Sequence, residues 1–353
     1  MSLAVVARSF GSPEVLEVVE VDPPVAGPGQ VVIEVRAAGV NPADAKLVAG
    51  TFGADPSMLP IRPGSEVAGV VTAVGPDAVD GVLQGGDGPV SVGDEVIAYR
   101  VSGGYASAVA VRASSVFAKP PALDWAAASG LLLAGATAWH LVEATGVGPD
   151  DVVIVFGASG GVGAMAVQLA ALRGARVLGV ASAANADYVA SLGATPVARG
   201  AGLESRLRAA LSASAGAADA AAAGGAAGAA GAGAAGGAGG AADAAGDGAP
   251  ATVALDTVGG AEGLDAAVAL VADRSRIATI ADFERGAALG IRLLGSGPGA
   301  DPGAALRNAA RAPLVALAAQ GALTVTVAAT YPLASAADAL TLPHAPGKVA
   351  LLP

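Results

Sequence analysis

Residues 152–172 read VVIVFGASGGVGAMAVQLAAL, an uncharged run long enough to cross a bilayer. Its internal grammar points elsewhere. A β-branched burst at Val152, Val153, Ile154 and Val155 gives way to glycines at 157, 160, 161 and 163, and a helix-like stretch containing Gln168 follows. Strand, glycine turn and helix open a βαβ unit, and parallel strands covered on both faces read as unbroken apolar runs. A chain that carries this unit is committed to a parallel, doubly wound sheet.

Composition narrows the class further. Mean hydropathy is +0.61, but the 54% hydrophobic count includes a large alanine share, so the value does not require a membrane span. Cysteine is absent, which excludes disulfides, thiolate metal sites and cysteine nucleophiles. Nineteen basic against thirty acidic side chains give a net charge of −11, which argues against nucleic acid as a partner. The N-terminus shows no basic region followed by an apolar core, so a soluble, cytoplasmic chain is expected. Its 353 residues suit about two domains.

Residues 1–122 read as β-rich. Val31, Ile33 and Val35 alternate with Val32, Glu34 and Arg36, and residues 67–74 and 94–99 are further strands set off by glycine and proline. Such short strands imply a small barrel. Residues 80–89 have the composition of an exposed loop. From about residue 123 helix and strand alternate. Helices are expected over 124–144, 164–173 and 187–192, and strands over 152–156, 176–180, 253–256 and 276–280. Between 212 and 248 the chain is almost wholly Ala and Gly, with Asp219, Asp243 and Asp247. Each glycine in a helix costs about 1 kcal/mol. Neither helical nor strand periodicity survives there, and a flexible surface insert with some helical turns is expected.

The turn GASGGVG, residues 157–163, stands where a strand ends and a helix begins, as a dinucleotide fingerprint requires. Its glycines let the backbone approach a pyrophosphate, and the helix N-terminus supplies positive dipole density. A carboxylate at the end of the second strand would hold the ribose 2′-hydroxyl of NAD. Ala181 and Ser182 stand there instead, so nothing repels a 2′-phosphate and a serine hydroxyl can donate to one. NADP(H) is the expected cofactor. Arg199 either adds charge to that phosphate or is an ordinary solvated surface arginine.

Taken in order, several motifs carry a family resemblance. They are AAGVNPADAK (37–46), PGSEVAGVV (63–71), VGDEV (92–96), AGATAWHL (134–141), the glycine turn, SLGA (191–194), DTVGG (256–260) and GKVALLP (347–353). The chain resembles the zinc-free quinone oxidoreductase branch of the medium-chain dehydrogenase/reductase superfamily nearly end to end. That resemblance implies an α/β protein with a GroES-like β-barrel catalytic domain (1–123 and 296–353) and a Rossmann cofactor domain (124–295). The last part would supply a helix near 333–340 and a closing strand over 348–352. In zinc-dependent relatives a metal-binding cysteine would stand at Asn41 and a histidine at Ser65. With no cysteine and only His140 and His344, a zinc site of the usual kind is not expected. His140 reads as a core or interface residue and His344 as a loop residue.

The resemblance also implies roles by position. Asn41, the catalytic candidate, and Thr137 face the nicotinamide end, while Ser159, Gly160, Gly161 and Val162 hold the pyrophosphate. Thr257 and Ile280 line the cofactor, and Lys348 approaches it from the C-terminal segment. Phe52 lines the substrate, where many relatives carry tyrosine. Asp44 and Lys46 are read as a structural pair that fixes their loop. The implied reaction is hydride transfer from NADPH to a quinone or other electron-poor carbonyl, and the sequence offers no clear general acid. Reduction of an enoyl-thioester or enone stays open, as does a nucleotide-binding structural or regulatory role with little turnover. A small-molecule substrate is implied, and a homodimer joined through an edge at residues 288–295.

Overall fold

The computed structural model describes residues 1–78, 83, 88–224, 250–341 and 346–353. Most of the expected 80–89 loop, residues 225–248 of the Ala/Gly segment and His344 lie outside the described residues.

The N-terminal half is built around one long strand, Gln30–Val40. It pairs antiparallel with Glu66–Val74 along one edge. On the other edge its first half pairs with Ala108–Arg112, and its last residues pair with the C-terminal strand Lys348–Leu352. Two register irregularities, at Val32/Ile33 and Val35/Ala37, bend the strand enough to serve both neighbours. Glu95–Tyr99, Val116–Ala118 and Val327–Pro332 complete this seven-stranded sheet, and Ser2–Ala7 with Leu16–Val21 form a separate antiparallel ribbon. The sequence pattern gives Gln30–Val40 one buried face. Val32 is buried as well as Val31, Ile33 and Val35, because the sheet curls and is covered on both sides there.

The second sheet is wholly parallel among its six strands. Across it run Thr195–Ala198, Arg176–Ala181, Val152–Phe156, Val253–Asp256, Ile277–Thr279 and Arg292–Leu293. Numbered by their sequence order the strands lie 3-2-1-4-5-6, the dinucleotide-binding arrangement. Every residue of Val152–Phe156 is buried, which accounts for the apolar run. Among the described residues no helix is long and apolar enough to cross a membrane.

Three expectations change. The single helix expected over 124–144 is two, Trp125–Ser129 and Leu132–Ala144, broken at Gly130. A Cβ on Gly130 would press on the Lys348 side chain at 3.0 Å, so the break makes room for that lysine. The helix after the glycine turn spans Gly161–Leu172 and begins inside the turn, since glycine at N1 tolerates the tight entry. Finally, the helix Leu203–Gly224 runs into the Ala/Gly segment through residue 224. Leu203, Leu207 and Leu211 anchor it in the core under the sheet, and alanine continues it once that anchor exists.

The helices Ala304–Ala309 and Arg311–Ala319, in the stretch grouped with the barrel by sequence, pack against Leu132–Ala144. Gly135 there leaves room for the Leu314 side chain. The two sheets share one apolar core, in which Ile97 and Phe117 from the first join Leu131, Leu141 and Val155. Their relative position is therefore set by packing rather than by a linker.

Candidate functional site

The glycine turn sits at the point where the strand order reverses, between Val152–Phe156 and Val253–Asp256. Gly157 takes φ +75°, a value that L side chains rarely adopt. A Cβ on Gly163 would stand 2.1 Å from the Gly157 carbonyl oxygen, so only glycine lets the helix approach the strand this closely. The first bond of the helix runs from the Ala164 amide to the Gly160 carbonyl at 2.8 Å. The amides of Gly161, Val162 and Gly163 therefore have no helical acceptor and face the space beyond the strand ends. This cradle suits a dinucleotide diphosphate.

Other predicted cofactor residues fall along the same edge. Ser182 directly follows the strand Arg176–Ala181, with no acid at that end. Arg199 is exposed beside it, its amide bonded to the Ala181 carbonyl at 2.8 Å. Ser159 accepts a hydrogen bond on its hydroxyl from Asn185 at 3.0 Å, and its carbonyl accepts the Gly347 amide at 2.8 Å. Thr257 lies beside the turn and donates to the Phe156 carbonyl at 2.7 Å. Ile280 follows the next strand, its amide bonded to the Asp256 carbonyl. Asp256 was no candidate by sequence. It is buried and accepts from Thr279, Val258 and Gly259, so it shapes the DTVGG turn, and burial pushes its carboxyl up.

Lys348 departs from its expected role. Its stem lies over Gly130 and Gly161, but its ammonium turns away from the glycine cradle. It donates to the Val40 carbonyl at 3.1 Å, to the Asn41 side-chain oxygen, and to Glu66 Oε1 at 3.1 Å. Asn41 donates from Nδ2 to Glu66 Oε1 at 3.0 Å and to the Gly39 carbonyl at 3.3 Å. A carboxylate only accepts and an ammonium only donates, which fixes the orientation of this amide. The other Glu66 oxygen accepts the Leu133 amide at 2.9 Å. One turn later Thr137, also buried, donates to the Leu133 carbonyl at 2.8 Å. Asn41, Glu66 and Lys348 are all buried, so the network ties the first sheet, the C-terminal strand and a helix N-terminus together around one ion pair.

Asp44 and Lys46 do not pair. Lys46 is exposed, whereas Asp44 is buried and accepts from the Asn41 amide at 3.0 Å, Ser65 at 2.9 Å and Tyr105 at 2.9 Å. The loop is fixed by long-range partners, because helical spacing of two residues points the side chains apart. Burial pushes the Asp44 carboxyl up, opposed by these bonds, and burial together with Asp44 pushes the Tyr105 hydroxyl well up. Phe52 is half-exposed on the turn after the helix Pro42–Val48. His140 is wholly buried, as its apolar helix implied.

Sequence reasoning did not single out Glu66 or Tyr105. For Glu66 a signal was available: it is a lone acid opening the apolar strand EVAGVV. Tyr105 had none, since its partner lies 61 residues away.

Residues 27–121 match the model for the alcohol dehydrogenase GroES-like domain, and residues 238–351 match that for zinc-binding dehydrogenases. A human quinone oxidoreductase is 36% identical over 181 residues, covering 50% of this chain and 52% of that protein. The two models together match more than half of the chain. The chain belongs to the medium-chain dehydrogenase/reductase superfamily. Similarity extends to part of a polyketide synthase from Streptomyces halstedii, 40% identical over 166 residues, 47% of this chain and 3% of that protein. A mycobacterial protein solved in complex with NADPH has a TM-score of 0.76 and 27% identity over 99% of this chain and 100% of that one. The chain spans about half the length of the curated quinone oxidoreductases it matches. One matching model is named for zinc; the positions where the resemblance sets zinc ligands, Asn41 and Ser65, lie outside its match and hold an amide and a hydroxyl already bonded to Lys348 and Asp44. Such donors do not suit zinc.

Proposed function

We propose that this chain is an NADP(H)-dependent oxidoreductase that passes hydride to a quinone or another electron-poor carbonyl acceptor, and that it does so without zinc. The glycine cradle at the reversal point of the parallel sheet carries the reading. The names of the human relative and the NADPH complex of the mycobacterial one support it.

Bound NADPH would supply the hydride at its nicotinamide ring. The chain's own residues would bind and orient. The amides of Gly161, Val162 and Gly163, with Ser159 and Gly160 shaping the turn, hold the diphosphate, and Ser182 and Arg199 receive the 2′-phosphate. Thr257 and Ile280 line the cofactor, Asn41 and Thr137 wall the nicotinamide end, and Phe52 lies toward the acceptor. Asn41 acts as a fixed wall and not as a proton donor, because both its amide hydrogens are already committed. The Thr137, Ser65 and Tyr105 hydroxyls likewise donate inward. A quinone suits such a site, since its reduced oxygens collect protons from solvent. Enone or enoyl-thioester reduction, which gains from a placed donor, ranks below it.

Domains of 1–123 with 296–353 and of 124–295 belong to the same proposal, as do a cytoplasmic setting and a homodimer. Arg292–Leu293 is one of the two edge strands of the parallel sheet and lies within the proposed pairing edge, 288–295. Sedimentation giving a monomer would overturn that pairing.

Steady-state oxidation of NADPH and NADH with a panel of quinones and enones tests the reaction. Turnover is expected with quinones first, and with NADPH bound more tightly than NADH. Saturable NADPH binding without turnover on any acceptor overturns the enzyme reading in favour of a structural or regulatory role. Equal or tighter NADH binding overturns the roles of Ser182 and Arg199.

A further inference from the structure

Beside the network lies a second concentration of charge. Arg311 opens the helix Arg311–Ala319 and is only 8% exposed. Its guanidinium lies over the Tyr99 ring, 5.2 Å from the centroid, and one terminal nitrogen donates to the Asn308 side chain. Its Nε is buried without a partner. Arg307, one turn earlier and half-buried, donates from Nε to His140 Nδ1 at 3.3 Å. Arg100 follows Tyr99, exposed, in the left-handed region at φ +63°, which a non-glycine residue occupies only under strain. Its charge, after burial, pushes the guanidinium pKa of both Arg307 and Arg311 down. Asp301, itself exposed and 3.5 Å from His140 Nε2, is the carboxylate that acts on Arg307.

The charge of Arg100 thus acts against both neighbouring guanidinium groups, Arg307 being eased by Tyr99 and the exposed Asp301 and Arg311 by Tyr99, which is an unfinished electrostatic arrangement. It is the more telling in a chain of net charge −11. The one buried N–H without a partner here, Arg311 Nε, belongs to a planar fork that suits a carboxylate or phosphate.

The place of this cluster says what the anion belongs to. Tyr99 is the register partner of Glu66 across adjacent antiparallel strands, so both side chains leave the same face of the sheet. His140 follows Thr137 by three residues on one helix, which stacks them on a common side. Passing across the sheet from the glycine cradle, Lys348, Asn41, Glu66 and Tyr99 come in succession, and Arg311 covers the last of them. The arginines thus lie beyond the nicotinamide wall, on the side away from the cradle.

We propose that Arg100, Arg307 and Arg311 form an oxyanion subsite that holds a carboxylate or phosphate on the tail of the acceptor, so that the preferred acceptors are anionic. The identity of that tail's owner rests on the oxidoreductase reading above; the subsite itself does not.

The test compares a 1,4-naphthoquinone bearing a propionate side chain with its methyl ester, which leaves the ring unchanged. The wild-type protein is expected to show a KM about tenfold lower for the acid, the scale of one charge-assisted bond pair. In Arg311→Met and in Arg100→Gly that preference falls to about one. Arg100→Gly removes an exposed charge and relieves the positive φ, so it stays folded if Arg311→Met does not. Equal KM values for acid and ester in the wild type, with NADPH turnover intact, overturn the subsite and leave the oxidoreductase reading standing. Calorimetric titration of the unliganded protein with the same naphthoquinone acid and ester requires no turnover. Binding of the acid weakened about tenfold in both variants, with the ester unaffected, supports the subsite whatever the protein does with NADPH. Affinity for the acid equal in wild type and variants overturns it.

Discussion

Lys348 shows how far one side chain can be from its sequence reading. The resemblance sends it to the cofactor, and its stem does pass the glycine cradle, but its charge ends on Glu66 and Asn41. An ion pair this deeply buried returns little net stability when formed, yet removing one partner strands the other in a low-dielectric site. Lys348→Met is therefore expected to destabilise the fold by about 3–5 kcal/mol in chemical denaturation, with Glu66 left uncompensated. Adding Glu66→Gln to it should recover much of that loss, since the remaining groups are then neutral. A double variant no more stable than Lys348→Met would show that the pair is not what holds these elements together. What made Lys348 illegible is separation: its partners lie 282 and 307 residues away.

At the scale of elements, glycines decide where helices begin and break. Gly130 ends one helix so that Lys348 can pass, and Gly163 brings the next helix onto its strand. Gly163→Ala puts a Cβ against backbone, which has no rotamer to yield, so the helix must move off the strand. A stability loss of about 1–3 kcal/mol is expected, with NADPH binding weakened at least about tenfold in a fluorescence titration. Gly160→Ala should keep full thermal stability, because its Cβ meets nothing nearer than the Gly157 carbonyl at 3.5 Å. Unchanged NADPH affinity in Gly163→Ala would refute the cradle. The turn itself was legible because its signal is local: β-branched residues, glycines and an alanine-rich stretch adjoin in one run. Gly130 was not, since nothing near it in sequence announces the lysine that needs the space.

Over the whole molecule, one core joins the two sheets, and His140 sits where the helix Leu132–Ala144 meets the C-terminal helices. Burial first, and then the charge of Arg307, hold its imidazole below the ordinary 6.5. As pH falls through that value the unfolded chain takes up a proton that the folded chain refuses. Stability therefore drops on acidification below about 6.5. Thermal unfolding followed from pH 7.5 to 5.5 should show a slope that His140→Gln reduces. An unchanged slope in the variant would place the titration elsewhere; Asp44 and Asp256, with raised values, act in the opposite sense. The sequence by itself determined the parallel sheet, its glycine turn, the missing acid at the second strand and the absence of thiolate ligands. Each is written in composition or in a few adjacent residues. Only the tertiary structure decided that Asn41, Glu66 and Lys348 share one network, that Asp44 answers to Tyr105 and not Lys46, and that Arg311 lies over Tyr99. Side-chain chemistry of that kind depends on which distant segments the core brings together, and pattern along the chain does not carry it.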